Sequence, residues 1–175
     1  MTEMREKRKI DAIDSKIINL LQQDGRLSNT EIAKTLDLSE ATIRTRIKRL
    51  LDEEVIQIVA VSNPFKLGFD ITGDLDIHVE MNQIDSVLSA LTSFRELWYI
   101  VIRTGTAHIN AEFVVKTLEE LNDLVCNRIS QIQGVKGVDI AVIMKYVKRR
   151  YDYGTALDEK PPAVVKRKPN EVRTP

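Results

Sequence analysis

The chain is short of the residues that most site chemistry requires. Its 175 residues include one cysteine, Cys126, so no internal disulfide can form. Two histidines and that one cysteine cannot close a zinc site of the usual four ligands, so neither a metal nor a cofactor is expected. No apolar run approaches the roughly 18 residues of a membrane span. The opening "MTEMREKRKI" also lacks the apolar stretch of a signal peptide, and the expected location is cytoplasmic with no membrane partner. No nucleophile–base pair, phosphate-cradling glycine loop or paired-carboxylate site stands out, and no enzyme is expected. Cys126 falls beside the apolar stripe of a helix and reads as a small buried hydrophobe.

What is abundant is core and charge. At 43% hydrophobic and 30% charged, the chain can bury one domain or two small ones. Lysine plus arginine and aspartate plus glutamate each total 26, but the balance is uneven. Residues 1–63 hold 11 basic and 11 acidic side chains, 64–147 hold 7 and 11, and 148–175 hold 8 and 4. An acidic middle thus separates a balanced head from a basic tail.

Ile13, Ile17, Leu20 and Leu21 recur at helical spacing, with Asp11 and Asp14 at the positive end of the dipole and Gly25 as a stop, which predicts a helix over 13–23. A second helix starts after Ser28 or Asn29, turns Ile32, Ala33 and Leu36 inward, and ends near Asp37, a residue that tolerates the left-handed conformation. A third begins at Ser39. There Ile43, Ile47 and Leu50 share one face within roughly 40 degrees. Arg44, Arg46, Lys48 and Arg49 crowd the same six residues and leave a cationic outer surface. Three short helices joined by tight turns make a helix-turn-helix.

"VIQIVAV", Val55 to Val61, then predicts a strand. Ile71 to Met81 alternates apolar and polar residues as a half-buried strand, and Ile84, Val87, Leu88 and Leu91 trace a helix. "LWYIVIRT" and "AHINAEFVV" form an antiparallel pair around Gly105. A helix follows with Leu118, Leu121, Val125, Ile129 and Ile132, and then a strand over 138–146. Strand-helix-strand-strand-helix-strand is the ferredoxin-like order, an α+β class, with a bare sheet face suited to an oligomer interface. Trp98 and Tyr99 are expected in that sheet and interface, and His78 on a strand's polar face. The expected division is a helix-turn-helix domain over 1–54, a strand linker over 55–69, a ferredoxin-like domain over 70–150, and a basic, proline-containing, mobile or partner-pinned tail over 151–175.

"IDAIDSKIINLLQQDGR", "LSEATIRTRIKRLLDEEVI", "NPFKLGF" and the Thr104–Gly105 pair, in that order and spacing, resemble the Lrp/AsnC, or feast/famine, regulators over residues 10 to about 150. The resemblance implies a transcription factor that binds double-stranded DNA, pairs through its C-terminal sheets, and assembles as a dimer or a higher ring such as an octamer. It also implies a small effector held between subunits near the threonine-glycine turn.

In a helix that enters the major groove, short polar side chains reach base edges and cations neutralise phosphates. Ser39, Thr42, Thr45 and Arg46 are the candidates for base contacts; Arg44, Lys48 and Arg49 are the candidates for phosphate contacts, with Ser28 and Asn29 anchoring the second helix. Lys148, Arg149 and Arg150 are a further basic run. For the effector the candidates are Thr104, Gly105, Thr106, Ala107 and His108. In amino-acid-binding members an aspartate usually stands three residues after the threonine-glycine pair, and here that place is His108. An imidazole does not supply the same counter-charge to an ammonium group. The site is therefore changed toward a carboxylate or acidic ligand, dependent on His108 protonation, or unused. Two other readings share the scaffold: an architectural, weakly specific DNA organiser, and a sirohaem-decarboxylase-like enzyme.

Overall fold

Asp11 opens the first helix, α1 (Ala12–Gln23). Its carboxylate accepts from the Ile13 and Asp14 N–H groups, and Asp14 accepts in return from the Asp11 N–H. Such a reciprocal cap satisfies donors that a helix start leaves open. Asp24, not Gly25, takes the C-cap, because the Asp24 N–H reaches the Leu20 carbonyl and the helix ends without a left-handed glycine. Ser28 starts α2 (Asn29–Leu36) with a second reciprocal cap to Glu31, and Asp37 closes it in the left-handed region at φ +54°. Ser39 caps α3 (Glu40–Asp52) by accepting from the Thr42 N–H. Ile17, Ile18, Ile32, Ala33, Ile43 and Leu50 form the buried centre of this three-helix group, with Ile47 packed against it.

The computed structural model describes residues 10–158, and the rest of the expected tail, 159–175, lies outside them. The described chain makes two compact units, 10–60 with 148–158, and 61–147. The strand expected over Val55–Val61 does not form. A strand exists only where a neighbour completes its ladder. Here Ile58, Val59 and Val61 stand 49%, 68% and 57% exposed.

In the second unit, β1 (Ile71–Val79), α4 (Ile84–Leu91), β2 (Leu97–Ile102), β3 (Ile109–Val115), α5 (Leu118–Asn122) and β4 (Val135–Val142) follow in order. The sheet order β2-β3-β1-β4, antiparallel throughout, is that of a ferredoxin-like fold. Leu75, Ile77, Val79, Ile109, Ala111, Phe113 and Val115 turn to the helix side and are buried with Val87, Leu91, Leu124 and Ile129. β4 begins and ends earlier than expected because β1 sets the length of its ladder: Gly73 pairs with Val142, and past it only the Ile143 N–H to Thr72 carbonyl bond remains.

The helix expected from Leu118 onward is α-helical only to Asn122. It widens into a π-turn over Asp123–Arg128 and ends in a 3₁₀ turn, Ile129–Gln131. The wider turn keeps Leu121, Leu124, Val125 and Ile129 inward and rolls Cys126 to the surface, so Cys126 is exposed where burial was expected. Trp98 and Tyr99 are likewise half exposed, at 49% and 45%.

Candidate nucleic-acid interface

The four cations of α3 divide into two pairs. Arg44 and Lys48 point outward, with side chains 65% and 73% exposed, and among the described residues each pairs with an acid one turn away along the same helix, Glu40 and Asp52. Exposed pairs of this spacing contribute about 0.3–0.5 kcal/mol and are readily exchanged for another anion. Arg46 differs. Its Nη1 donates to Asp11 at 2.6 Å and to Asp14 at 2.8 Å, its side chain is only 23% exposed, and Arg49 donates to the other oxygen of Asp14. The Asp14 carboxylate is fully buried, so these two arginines are what compensates it. The Asp14 N–H, then Arg46, hold the Asp11 carboxyl below the usual carboxylate range; Asp11 and Asp14 in turn raise the Arg46 guanidinium.

Arg46, expected at base edges, and Arg49, expected at phosphates, are thus bound within the chain. Both guanidinium groups tie α3 to the start of α1, since stripping either from Asp14 would leave a buried charge short of a partner.

The polar residues at the front of α3 are held locally. Ser39 Oγ and Thr42 Oγ1 lie 2.7 Å apart, and Thr45 donates to the Ala41 carbonyl. Ser39 and Thr45 are exposed and Thr42 half-buried. Thr30 donates to Glu40, linking the start of α2 to that of α3. Ser28 spends its hydroxyl on the cap with Glu31, whereas Asn29 is half-buried at the first position of α2. Arg44, Thr45 and Lys48 thus share the side of α3 away from Ile43 and Leu50, with Ser39 and Thr42 at its N-terminal end. The basic run ends differently: Arg149 donates to the Tyr151 hydroxyl at 2.9 Å and Arg150 pairs with Asp152.

In the second unit, the Arg103 N–H donates to the His108 carbonyl at 2.9 Å and closes the turn over Thr104–His108. Thr104, Gly105 and Thr106 are exposed, Ala107 is buried and His108 half-buried. His108 Nδ1 is itself buried and meets no hydrogen-bond partner.

His78, which the sequence offered only as a surface or interface residue, joins this turn. Its Nδ1 lies 3.1 Å from the Thr106 carbonyl and its Nε2 lies 2.9 Å from Asp139 Oδ2. Both partners are acceptors, so only the imidazolium, which donates from both nitrogens, satisfies the pair. Asp139 first, then the Thr106 carbonyl, accordingly raise the His78 pKa. The bare face of the sheet also carries Asp74, Asp76, Asn110 and Arg103 around a shallow hollow. There Asn110, ahead of Arg103, lowers the Asp76 carboxyl, while burial, ahead of Asp76, raises that of Asp74.

Two family models match this arrangement: an AsnC-type helix-turn-helix domain over residues 10–51 and an Lrp/AsnC ligand binding domain over residues 70–153. The chain is 33% identical over 143 residues to an uncharacterised HTH-type transcriptional regulator of Pyrococcus furiosus, covering 81% of this chain and 97% of that one. It is 36% identical over 137 residues to the HTH-type transcriptional regulator FL11 of the same organism, covering 78% and 90%. Among solved structures, AsnC of E. coli superposes with a TM-score of 0.73 at 22% identity, covering 82% of this chain and 97% of AsnC. A transcriptional regulator from Neisseria meningitidis solved with L-Met superposes with 0.74 at 19%, covering 82% and 96%. The chain belongs to the Lrp/AsnC family of transcription regulators, with an AsnC-type helix-turn-helix domain followed by the family's ligand-binding domain.

Proposed function

We propose that this regulator reads double-stranded DNA by seating the outward side of α3 in the major groove. Ser39, Thr42 and Thr45 face base edges, Arg44 and Lys48 meet the flanking phosphates, and Asn29 at the start of α2 anchors the backbone. Arg46 and Arg49 fix the angle at which the helix is presented. The observation that carries this reading is the division of the α3 cations: two are exposed on weak local pairs and two are bound to a buried carboxylate. Residues 1–54 do the reading and 70–150 do the assembly and sensing. A unit of about 60 residues offers few phosphate contacts, which favours paired copies reading half-sites about 34 Å apart or a multiple of it.

The bare sheet face is the pairing surface, and dimers so formed are the building blocks of a ring such as an octamer. A small effector, an amino acid or organic acid, sits by the turn Thr104–His108. The L-Met complex of the Neisseria protein supports that ligand class. The buried, unpartnered Nδ1 of His108 supports a changed specificity, toward a ligand that brings an acceptor such as a carboxylate. That the relatives are transcription regulators supports a cytoplasmic, non-enzymatic role. Among the described residues no helix is long and apolar enough to cross a membrane.

The test is affinity for the DNA upstream of the protein's own gene against random DNA of equal length, at one stated salt concentration. Selective binding is the expected result. Equal binding to both replaces the regulator by a DNA organiser. For the effector, isothermal titration across amino and organic acids is expected to show binding by the native chain. His108→Asp is expected to shift preference toward neutral amino acids. Heat from neither protein removes the effector reading.

A further inference from the structure

The turn Thr104–His108 is held from two sides. At its base the Arg103 N–H meets the His108 carbonyl, and at its tip the Thr106 carbonyl meets Nδ1 of His78, which stands on β1, 28 residues earlier. The alternation of β1 brings the histidine there. Leu75, Ile77 and Val79 face the helices, so Asp76 and His78 stand on the bare face of the sheet. β1 pairs with β3 as far as Ile77 and Ile109, and His78 falls one step past that pair, level with the end of the turn. On the other side of β1, β4 sets Asp139 opposite Asp76, and Oδ2 of Asp139 lies 2.9 Å from Nε2 of His78. One ring therefore joins β1, β4 and the turn within a single compact unit.

The charge of the ring decides whether all three stay joined. An imidazolium has two N–H donors and satisfies both acceptors, whereas a neutral imidazole has one. The carboxylate is the stronger acceptor, so a neutral ring keeps its proton toward Asp139 and turns a lone pair on the Thr106 carbonyl. That contact is then repulsive, and the tip of the turn is released. Acids dominate the surroundings of the ring. Asp139 faces it from β4 and Asp76 from β1, the latter paired with Arg103 at the base of the turn. Glu80 and Lys136 pair with each other at the end of the ladder, and His108 takes the register position across from His78 on the β3 side. Asp139 foremost, with the Thr106 carbonyl and Asp76, favours the charged ring.

We propose, on the reading of this turn as the effector site, that His78 is its positioning residue: the imidazolium, held by Asp139, fixes the tip of the turn, and effector affinity follows the protonation of His78. The regulator then answers its small molecule more strongly at acid than at alkaline pH. By linkage, an effector that prefers the charged ring must also raise the pH at which His78 titrates.

The test uses the full chain, with L-aspartate and L-methionine as probes that keep their charges between about pH 5.5 and pH 8 while His78 titrates. NMR follows the His78 ring together with the Thr106 carbonyl carbon and the Ala107 amide. In the native chain these backbone signals are expected to titrate with the His78 midpoint. Asp139→Asn is expected to lower ring and backbone midpoints together, and His78→Gln to abolish the backbone response. Isothermal titration is expected to show probe affinity falling at least about fivefold across the pH range in the native chain and staying flat in His78→Gln. Backbone signals that do not titrate, or that follow the His108 midpoint, overturn the tie between His78 and the turn. Equal affinity of the native chain and His78→Gln at every pH overturns the positioning role. Heat from neither probe is a different result: it removes the effector reading of the turn, while the NMR titration still decides whether His78 holds it.

Discussion

Replacing Asp14 by asparagine keeps the shape of the side chain and removes its charge. The buried carboxylate accepts from Arg46, Arg49 and its own cap partner, the Asp11 N–H. Two charge-assisted bonds at roughly 1.5–3 kcal/mol each set an upper bound of about 3–6 kcal/mol. Arg46 and Arg49 are 23% and 43% exposed, so both guanidinium groups recover part of their hydration once released, and the asparagine oxygen still accepts one bond. The expected loss is about 2–4 kcal/mol, or a fall of at least about 8 °C in the melting temperature of so small a unit. The two units can be followed separately. Trp98, the only tryptophan, lies on β2 and its fluorescence reports the sheet, while helicity at 222 nm reports mainly α1–α3. The helical transition is expected to move down while the Trp98 transition stays in place. Arg46→Ala should cost less than Asp14→Asn because Arg49 still meets the carboxylate. A native melting temperature for Asp14→Asn refutes the claim that these arginines serve the fold first.

The sheet gives two further predictions. A Cβ on Gly73 would lie 2.0 Å from the Ala141 carbonyl oxygen across the β1–β4 ladder, so Gly73→Ala is expected to cost at or above the top of the roughly 1–3 kcal/mol range of overpacked sites, read from Trp98 fluorescence in urea. The His78 pKa is raised above its usual 6.5, so the contribution of its pair with Asp139 is complete below about 6.5 and fades as pH rises through the folded value. A histidine NMR titration is expected to give a His78 midpoint above 6.5 that falls back in Asp139→Asn. Cys126 is exposed, so Cys126→Ser is expected to change stability by less than about 0.5 kcal/mol.

Most of the local signals were read correctly, the stop at Gly25 excepted, where Asp24 takes the cap. Ser28 and Ser39 cap their helices, Asp37 adopts φ +54° at the corner, and the alternation of Ile71–Val79 places Leu75, Ile77 and Val79 in the core. What escaped depends on partners distant in sequence. The sequence reading assigned all four α3 cations to DNA, and only the fold reveals that Asp14, 32 residues before Arg46, holds two of them. Cys126 was misplaced because a π-turn shifts the helix phase, and no apolar spacing announces such a turn. The Val55–Val61 pattern has strand character, but a pattern cannot supply a ladder partner. The docking of 154–158 on α1 was invisible for a different reason: it is made of hydrogen bonds among serine, threonine, asparagine, glutamine and aspartate, so it leaves no hydrophobic period to detect.

Arg44 and Lys48, not Arg46 and Arg49, are the cations proposed to meet the DNA. The most direct measurement is the salt dependence of binding by Arg44→Ala/Lys48→Ala, beside its melting curve. The expected result is a slope shallower by about 2, since each phosphate-contacting cation contributes about one unit, with the melting temperature lower by only a few degrees. A native slope in the folded double variant contradicts the account.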